Sequence, residues 1–297
     1  MAAAVGVIGL GIMGSAMARN LKAAGYRVIG FDIDAGACAR AAADGTEIAA
    51  DVGAVAKAVT QILVSLPSPA AALDCAQRIA QSGLPKRIVA ELSTLALSDK
   101  DAFHKVLAVA GHVALDCPLS GTGAQALTKD IVIFASGDAT AIDQMQQVFL
   151  GFGRKVYNLG AYGNGSKMKF VANHLVAINN VASAEAMVLG IKAGLDPHQI
   201  VEVVSSGAGN SRVFELRAPM MAKADYMPAT MRQRTWKKDM TVIGDFAASL
   251  DCPTPLFNLT GALYDAALAM GHESDDVGSV CAVLEAMAGL DRGAKRG

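Results

Sequence analysis

This chain has few cysteines and almost no charge imbalance, and each shortage removes a class of protein. Its five cysteines (Cys38, Cys75, Cys117, Cys252 and Cys281) are odd in number and form no CxxC pair. That speaks against a disulfide scaffold and a structural zinc site, and for a reducing compartment. With 26 basic and 27 acidic residues the net charge is −1, so no electrostatic footprint for nucleic acid is expected. The histidines (His104, His112, His174, His198, His272) show no metal-ligand spacing, and no metal is expected. The first 18 residues carry no charged side chain, yet they lack the basic start of a signal peptide and are broken by Gly6, Gly9, Gly11 and Gly14. No other stretch reads as long and apolar enough to span a bilayer. The expectation is a soluble, cytoplasmic protein with no membrane or nucleic-acid partner.

What the chain does have is length and apolar residues: 297 residues, 53% of them hydrophobic, with no internal repeat and no low-complexity linker. That is enough for two domains. Strands are predicted at 4–8, 27–31, 61–64, 87–91, 113–116, 131–135 and 155–157, with helical stretches between most of them, such as 13–24, 70–81 and 140–149. Alternation of this kind implies a largely parallel, doubly wound α/β sheet. The pattern changes after Gly163-Asn164-Gly165. A helix predicted over 166–193 would run about 42 Å, and Gly194 with Asp196-Pro197 marks its end and the next start. Beyond it every segment reads as helix, at 197–205, 214–223, 234–249, 254–269 and 277–288, with a frayed end from Asp291 to Gly297. The division expected is a dinucleotide-binding domain over 1–163 and an all-α domain over 164–297.

The N-terminal strand runs into Gly9-Leu10-Gly11-Ile12-Met13-Gly14. Gly9 permits a tight turn, Gly11 lets the backbone approach a pyrophosphate, and Gly14 allows helix and strand to pack closely. The diphosphate would sit on the positive end of the helix dipole. Asp32 lies 18 residues after Gly14 at the end of the second strand, where a carboxylate binds ribose hydroxyls and repels a 2′-phosphate. This favours NAD over NADP. Asp32 also reads as a simple turn residue, with Asp34 equally available.

Lys169 and Asn173 are four residues apart, so they project from one face of the predicted long helix. A lysine can take the proton from an alcohol as hydride leaves carbon. Its ordinary pKa of about 10.4 is too high for this, but partial burial beside the positive ring of an oxidised cofactor would lower it. The bland alternative is a solvated lysine with Asn173 facing water. Pro118-Leu119-Ser120-Gly121-Thr122-Gly123 follows a strand and offers a carboxylate cradle of backbone amides and a hydroxyl, or else a plain turn. Trp236-Lys237-Lys238-Asp239 reads as a solvated charged cluster, His174 as a packing or surface residue, and Met220-Met221 as core.

These blocks, in this order, resemble the β-hydroxyacid dehydrogenase family, which includes 3-hydroxyisobutyrate dehydrogenases, tartronate semialdehyde reductases and L-threonate dehydrogenases. The resemblance rests on Gly9 to Leu21 with Met13 and Asn20, on Asp116 to Gly121, on Gly163 and Gly165 through Lys169 and Asn173, and on Lys238-Asp239. It implies a Rossmann domain followed by a helical substrate and oligomerisation domain, with Lys169 as catalytic acid/base. Ser120, Gly121, Thr122 and Asn173 would hold the substrate. Gly9, Gly11, Ile12, Met13, Gly14, Asp32, Leu66, Pro67, Thr94 and Lys238 would contact NAD. The implied reaction passes hydride between the nicotinamide and a small β-hydroxy acid, in a cleft between the domains. The strongly apolar late helices suggest subunit burial, so a homodimer or homotetramer is expected. The segment from Ala208 to Pro219 is most similar to the threonate branch. Three departures stand out: Thr122 where a second glycine is usual, Lys129-Asp130 in place of Gly-Thr, and Leu95-Ala96-Leu97 without its proline. An imine reductase and a non-catalytic binding module on the same scaffold are the rival expectations. Tyr-x-x-x-Lys occurs nowhere, which makes a short-chain dehydrogenase a poor third.

Overall fold

A computed structural model describes residues 3–292, so the final five positions of the expected frayed end lie outside the described residues. The chain divides into two compact units, Met1–Lys169 and Phe170–Gly297.

In the first unit the parallel strands β1 (Ala4–Ile8), β2 (Arg27–Phe31), β3 (Glu47–Ile48), β4 (Gln61–Val64), β5 (Ile88–Glu91) and β6 (Val113–Asp116) make one sheet in the order β3-β2-β1-β4-β5-β6. This is the order of a dinucleotide-binding doubly wound sheet. The strands are apolar because both faces are covered: Val5, Val7, Leu63 and Leu115 belong to one buried cluster, and Ile8, Ile62, Val64 and Val89 to the other. Helix starts follow local chemistry. Ser68 accepts from the Ala71 amide ahead of Pro69, and Asp51 and Asp138 cap Val52–Ala58 and Ala139–Phe152 in the same way.

The segments expected at 131–135 and 155–157 are strands, but not of this sheet. They are β8 (Val132–Ala135) and β9 (Lys155–Asn158), which join β7 (Leu119–Ser120) in a separate three-stranded sheet. The reason lies just after β6, where the chain turns at Pro118 and β7 pairs antiparallel with β8, Ser120 opposite Val132. Asp116 and Ser136 exchange backbone hydrogen bonds of 3.0 and 2.9 Å where the two sheets meet. Four helices are not among the stretches singled out from the sequence: Ala35–Ala43, Val52–Ala58, Leu97–Val109 and Gly123–Leu127.

The long helix runs over Asn164–Lys192, two residues earlier at its start and one shorter at its end than expected. By length and composition it is apolar enough to cross a membrane, contrary to the expectation that no such stretch exists. Yet Lys169, Asn173 and Asn180 are among its buried side chains, as in a core helix. The second unit is helical: Pro197–Ser205, Arg212–Lys223, Gln233–Ser249, Pro255–Ala269 and Val280–Met287, the last preceded by a 3-10 turn at Val277–Ser279 rather than continuous helix. Asp276 anchors this unit. Burial alone would raise the pKa of its carboxyl, but Arg217, the Thr230 hydroxyl and the amides of Gly278 and Met231 together hold it below the ordinary value.

Candidate active site

The expected cofactor residues leave the carboxyl ends of the parallel strands: Gly9 after β1, Asp32 after β2, Leu66-Pro67 after β4 and Thr94 after β5. In an open α/β sheet this edge is where ligands bind. Gly9 has φ +91°, and a Cβ there would stand 2.1 Å from the Ser65 carbonyl oxygen. A Cβ on Gly14 would meet the Gly9 carbonyl oxygen at 1.8 Å. Only glycine fits either position. A Cβ on Gly11, by contrast, would find nothing within 4 Å. Gly11 is also the N-cap of Ile12–Ala23 and brings no side chain to its first-turn amides. An open approach to uncapped amides is what a pyrophosphate requires, so these residues fit a dinucleotide.

Asp32 and Asp34, left open by the sequence, have different tasks. Asp34 caps Ala35–Ala43 by accepting from the Gly36 amide at 2.8 Å. The Asp32 carboxylate accepts the Leu10 amide at 2.6 Å and the Asp34 amide at 2.9 Å, which sets it beside the glycine turn. Ile12 is exposed, Met13 packs partly on the core, and the Leu66 amide donates to the Ser93 hydroxyl at 2.9 Å.

Ser120 closes the two-residue strand β7 rather than lying in a loop, and Gly121 beside it has φ +140°. Thr122 is the N-cap of Gly123–Leu127, in a reciprocal capping box with Gln125. Its hydroxyl therefore helps to start a helix, and Gln125 also bonds Asp130 at 2.9 Å. Asn20, which accompanies the glycines in sequence, reaches the Ala126 carbonyl at 2.6 Å and ties this short helix to the first one. Lys129 holds φ +61°, a backbone conformation that favours glycine, while Asp130 pairs with Arg154 at 2.7 Å.

Lys169 and Asn173 are both buried, 7% and 4% exposed, one turn apart on the long helix; the solvated alternative is excluded. Asn173 Nδ2 donates to Asp239 Oδ2 at 3.2 Å, and the Lys238 ammonium lies 3.2 Å from the other oxygen of Asp239. Asp239 is 3% exposed and Trp236 2%, so this part of the expected solvated cluster is interior, while Lys237 pairs with Asp265 at the surface. His174 stacks on Phe257 with ring centroids 5.0 Å apart, the packing role expected of it.

Sequence reasoning missed a second group. Lys100, Glu91 and Asp116 are wholly buried. The Lys100 ammonium pairs with Glu91 Oε2 and, at 2.9 Å, with Asp116 Oδ1. Burial alone would lower the lysine pKa, but the two carboxylates outweigh it and raise it. The only signal in the sequence is that Glu91 and Asp116 each end an apolar strand, an uncommon place for a carboxylate without a partner.

Residues 4–160 match the NAD-binding domain of 6-phosphogluconate dehydrogenase, and residues 163–284 match the NAD-binding family of NADP-dependent 3-hydroxyisobutyrate dehydrogenase. The chain is 33% identical over 284 residues to L-threonate dehydrogenase of Cupriavidus necator, covering 94% of this chain and 95% of the relative. L-Threonate dehydrogenase of Haemophilus influenzae is 31% identical over 295 residues, 98% of each chain. The crystal structure of a 3-hydroxyisobutyrate dehydrogenase from Salmonella typhimurium superposes with a TM-score of 0.86 at 28% identity, covering 95% of this chain and 99% of that one. With the strand order, the glycine turn and these similarities along nearly its whole length, the chain belongs to the β-hydroxyacid dehydrogenase family of NAD-binding oxidoreductases.

Proposed function

We propose that this protein oxidises the hydroxyl of a small hydroxy acid of the L-threonate type, with NAD as hydride acceptor and Lys169 as the proton-transfer group. The observation that carries the reading is the buried pair Lys169 and Asn173, one helical turn apart. The nicotinamide, when bound, accepts the hydride or returns it. Lys169 as free amine takes the hydroxyl proton while hydride leaves the carbinol carbon, and as ammonium it gives the proton back in reduction. Asn173, its amide oriented by Asp239, holds the reacting hydroxyl. The Ser120 hydroxyl and the backbone at Gly121 take the substrate carboxylate, and Thr122 fixes the helix that follows. Lys238 belongs with the cofactor contacts beside Asp239.

A screen of C3–C5 hydroxy acids with NAD, following NADH absorbance, tests this. Turnover of a four-carbon hydroxy acid is expected; reduction of a cyclic imine with NADPH, and no hydroxy-acid turnover, overturns it. A carboxylate set beside the glycine turn supports NAD over NADP. Asp32→Ser is expected to cut the NAD/NADP ratio of kcat/KM about 10- to 100-fold, the worth of a charge-assisted hydrogen bond; an unchanged ratio removes Asp32 from cofactor choice. Five free cysteines support a reducing, cytoplasmic setting. Exposed Leu256 and Leu259 on Pro255–Ala269 and Leu189 on the long helix support a homodimer or homotetramer.

A further inference from the structure

The first turn of a helix has four amides without partners inside the helix, and something else must satisfy them. At the start of Asn164–Lys192 that partner is a carboxylate from another element. Asp116 Oδ2 accepts the Ser166 amide at 2.7 Å, and Asp116 Oδ1 accepts the Ser166 hydroxyl at 2.8 Å. The Gly165 amide donates to the Ser136 hydroxyl at 2.9 Å, and that hydroxyl lies 3.3 Å from Asp116 Oδ2. The helix start has no slack. A Cβ on Gly165 would stand 2.3 Å from the Phe134 carbonyl oxygen and 2.7 Å from that of Asp116. Ser166 and Lys169 are i and i+3, neighbours on one helix face.

The same carboxylate is one end of a longer chain of contacts. Its Oδ1 meets the Lys100 ammonium at 2.9 Å, and that ammonium also pairs with Glu91 Oε2. Glu91 Oε1 accepts the Ser93 amide at 2.9 Å, and the Ser93 hydroxyl accepts the Leu66 amide at 2.9 Å. Tyr162, two residues ahead of the helix, donates to the Lys100 carbonyl at 2.9 Å. One ammonium therefore joins the loops after β4 and β5 to the first turn of the helix that carries Lys169.

We infer that Lys100 is a positioning residue for the reaction: with Glu91 and Asp116 it braces the helix bearing Lys169 against the cofactor-binding edge of the sheet. The inference rests on the reading of Lys169 as proton-transfer group. Wholly buried charges persist only when paired and hydrogen-bonded, so the cluster holds its members to one geometry. Proton transfer needs that geometry, because a misplacement of about 1 Å costs about 10²-fold in rate.

The test is the double variant Glu91→Gln/Lys100→Met. It keeps the cluster at one net negative charge, since Glu91, Lys100 and Asp116 sum to −1 and Asp116 alone is −1. The amide oxygen introduced by Glu91→Gln retains an acceptor for the Ser93 amide. Active sites are counted by NADH fluorescence titration, and kcat is expressed per counted site. NADH affinity and substrate KM are expected to stay within about threefold while kcat per site falls at least about tenfold, part of the cost of misplacement. A merely structural cluster would lower the number of sites and leave kcat per site unchanged. Ser166→Ala removes one donor to Asp116 without unpairing a charge, and is expected to lower kcat per site by about 3- to 10-fold. It decides alone if the double variant binds no NADH. Turnover per site within twofold of the parent in the deciding variant overturns the inference. Lys169→Ala is measured alongside. If it keeps full turnover, the proton-transfer reading falls and this inference with it. If it loses turnover while the brace variants do not, only the brace falls.

Discussion

Lys169→Ala is expected to lose at least about 10²-fold in kcat, the low end for removal of a general acid/base. The chemistry needs a group that accepts a proton as hydride departs, and alanine has none. Lys169 is buried, so bulk water is not freely available to replace it. Binding of NAD should change little, since the glycine turn and Asp32 lie on separate elements. The measurement is steady-state kcat with the best hydroxy acid, together with NADH affinity by fluorescence. Full turnover in a variant that still binds NADH removes the mechanism and leaves the fold and family untouched.

Lys100→Met, made alone, is expected to cost about 3–5 kcal/mol of stability, as when one partner of a buried ion pair is removed. Methionine fills much of the same volume, so the loss comes from charge rather than from a cavity. Glu91 and Asp116 would be left as two buried carboxylates without a cation between them. Against the 5–15 kcal/mol typical of a folded protein, that brings the first unit close to unfolding at 37 °C. Urea unfolding at neutral pH measures it, with a probe that reports the first unit. A loss below about 1 kcal/mol, the scale of an exposed pair, contradicts a buried, tightly coupled cluster. The contrast with Glu91→Gln/Lys100→Met is part of the prediction, because removing the ammonium and one carboxylate together should cost less than removing the ammonium alone.

The cofactor side was readable because its constraints are local. Gly14 is demanded by the Gly9 carbonyl oxygen of the same turn and Gly9 by its own positive φ, and a strand-turn-helix of a few residues carries that demand in order. Lys169 and Asn173 were readable for a similar reason, since helical periodicity puts i and i+4 together. Thr122 shows a local signal present but not used: Thr-x-x-Gln announces a capping box, and the hydroxyl read as part of a cradle starts a helix. Lys100 shows the opposite case. In Ser98-Asp99-Lys100-Asp101 it looks like a solvated charge, and nothing nearby in sequence reveals Glu91 and Asp116 as its partners.

Order of elements, the glycine turn, the acidic end of β2 and the lysine-asparagine spacing were all decided by short-range chemistry that the residues state directly. The allotment of β8 and β9 to a second sheet was not, because it depends on where the chain turns after β6 and which strand β8 then meets. The burial of Asp239 against Asn173 depends likewise on packing between elements far apart in the chain, and that of the lysine joining Glu91 to Asp116 on how three successive elements close on one another. Periodicity tells which face of a helix is apolar. Which charged groups end up enclosed together, and so must neutralise one another, follows only once those faces have found their partners.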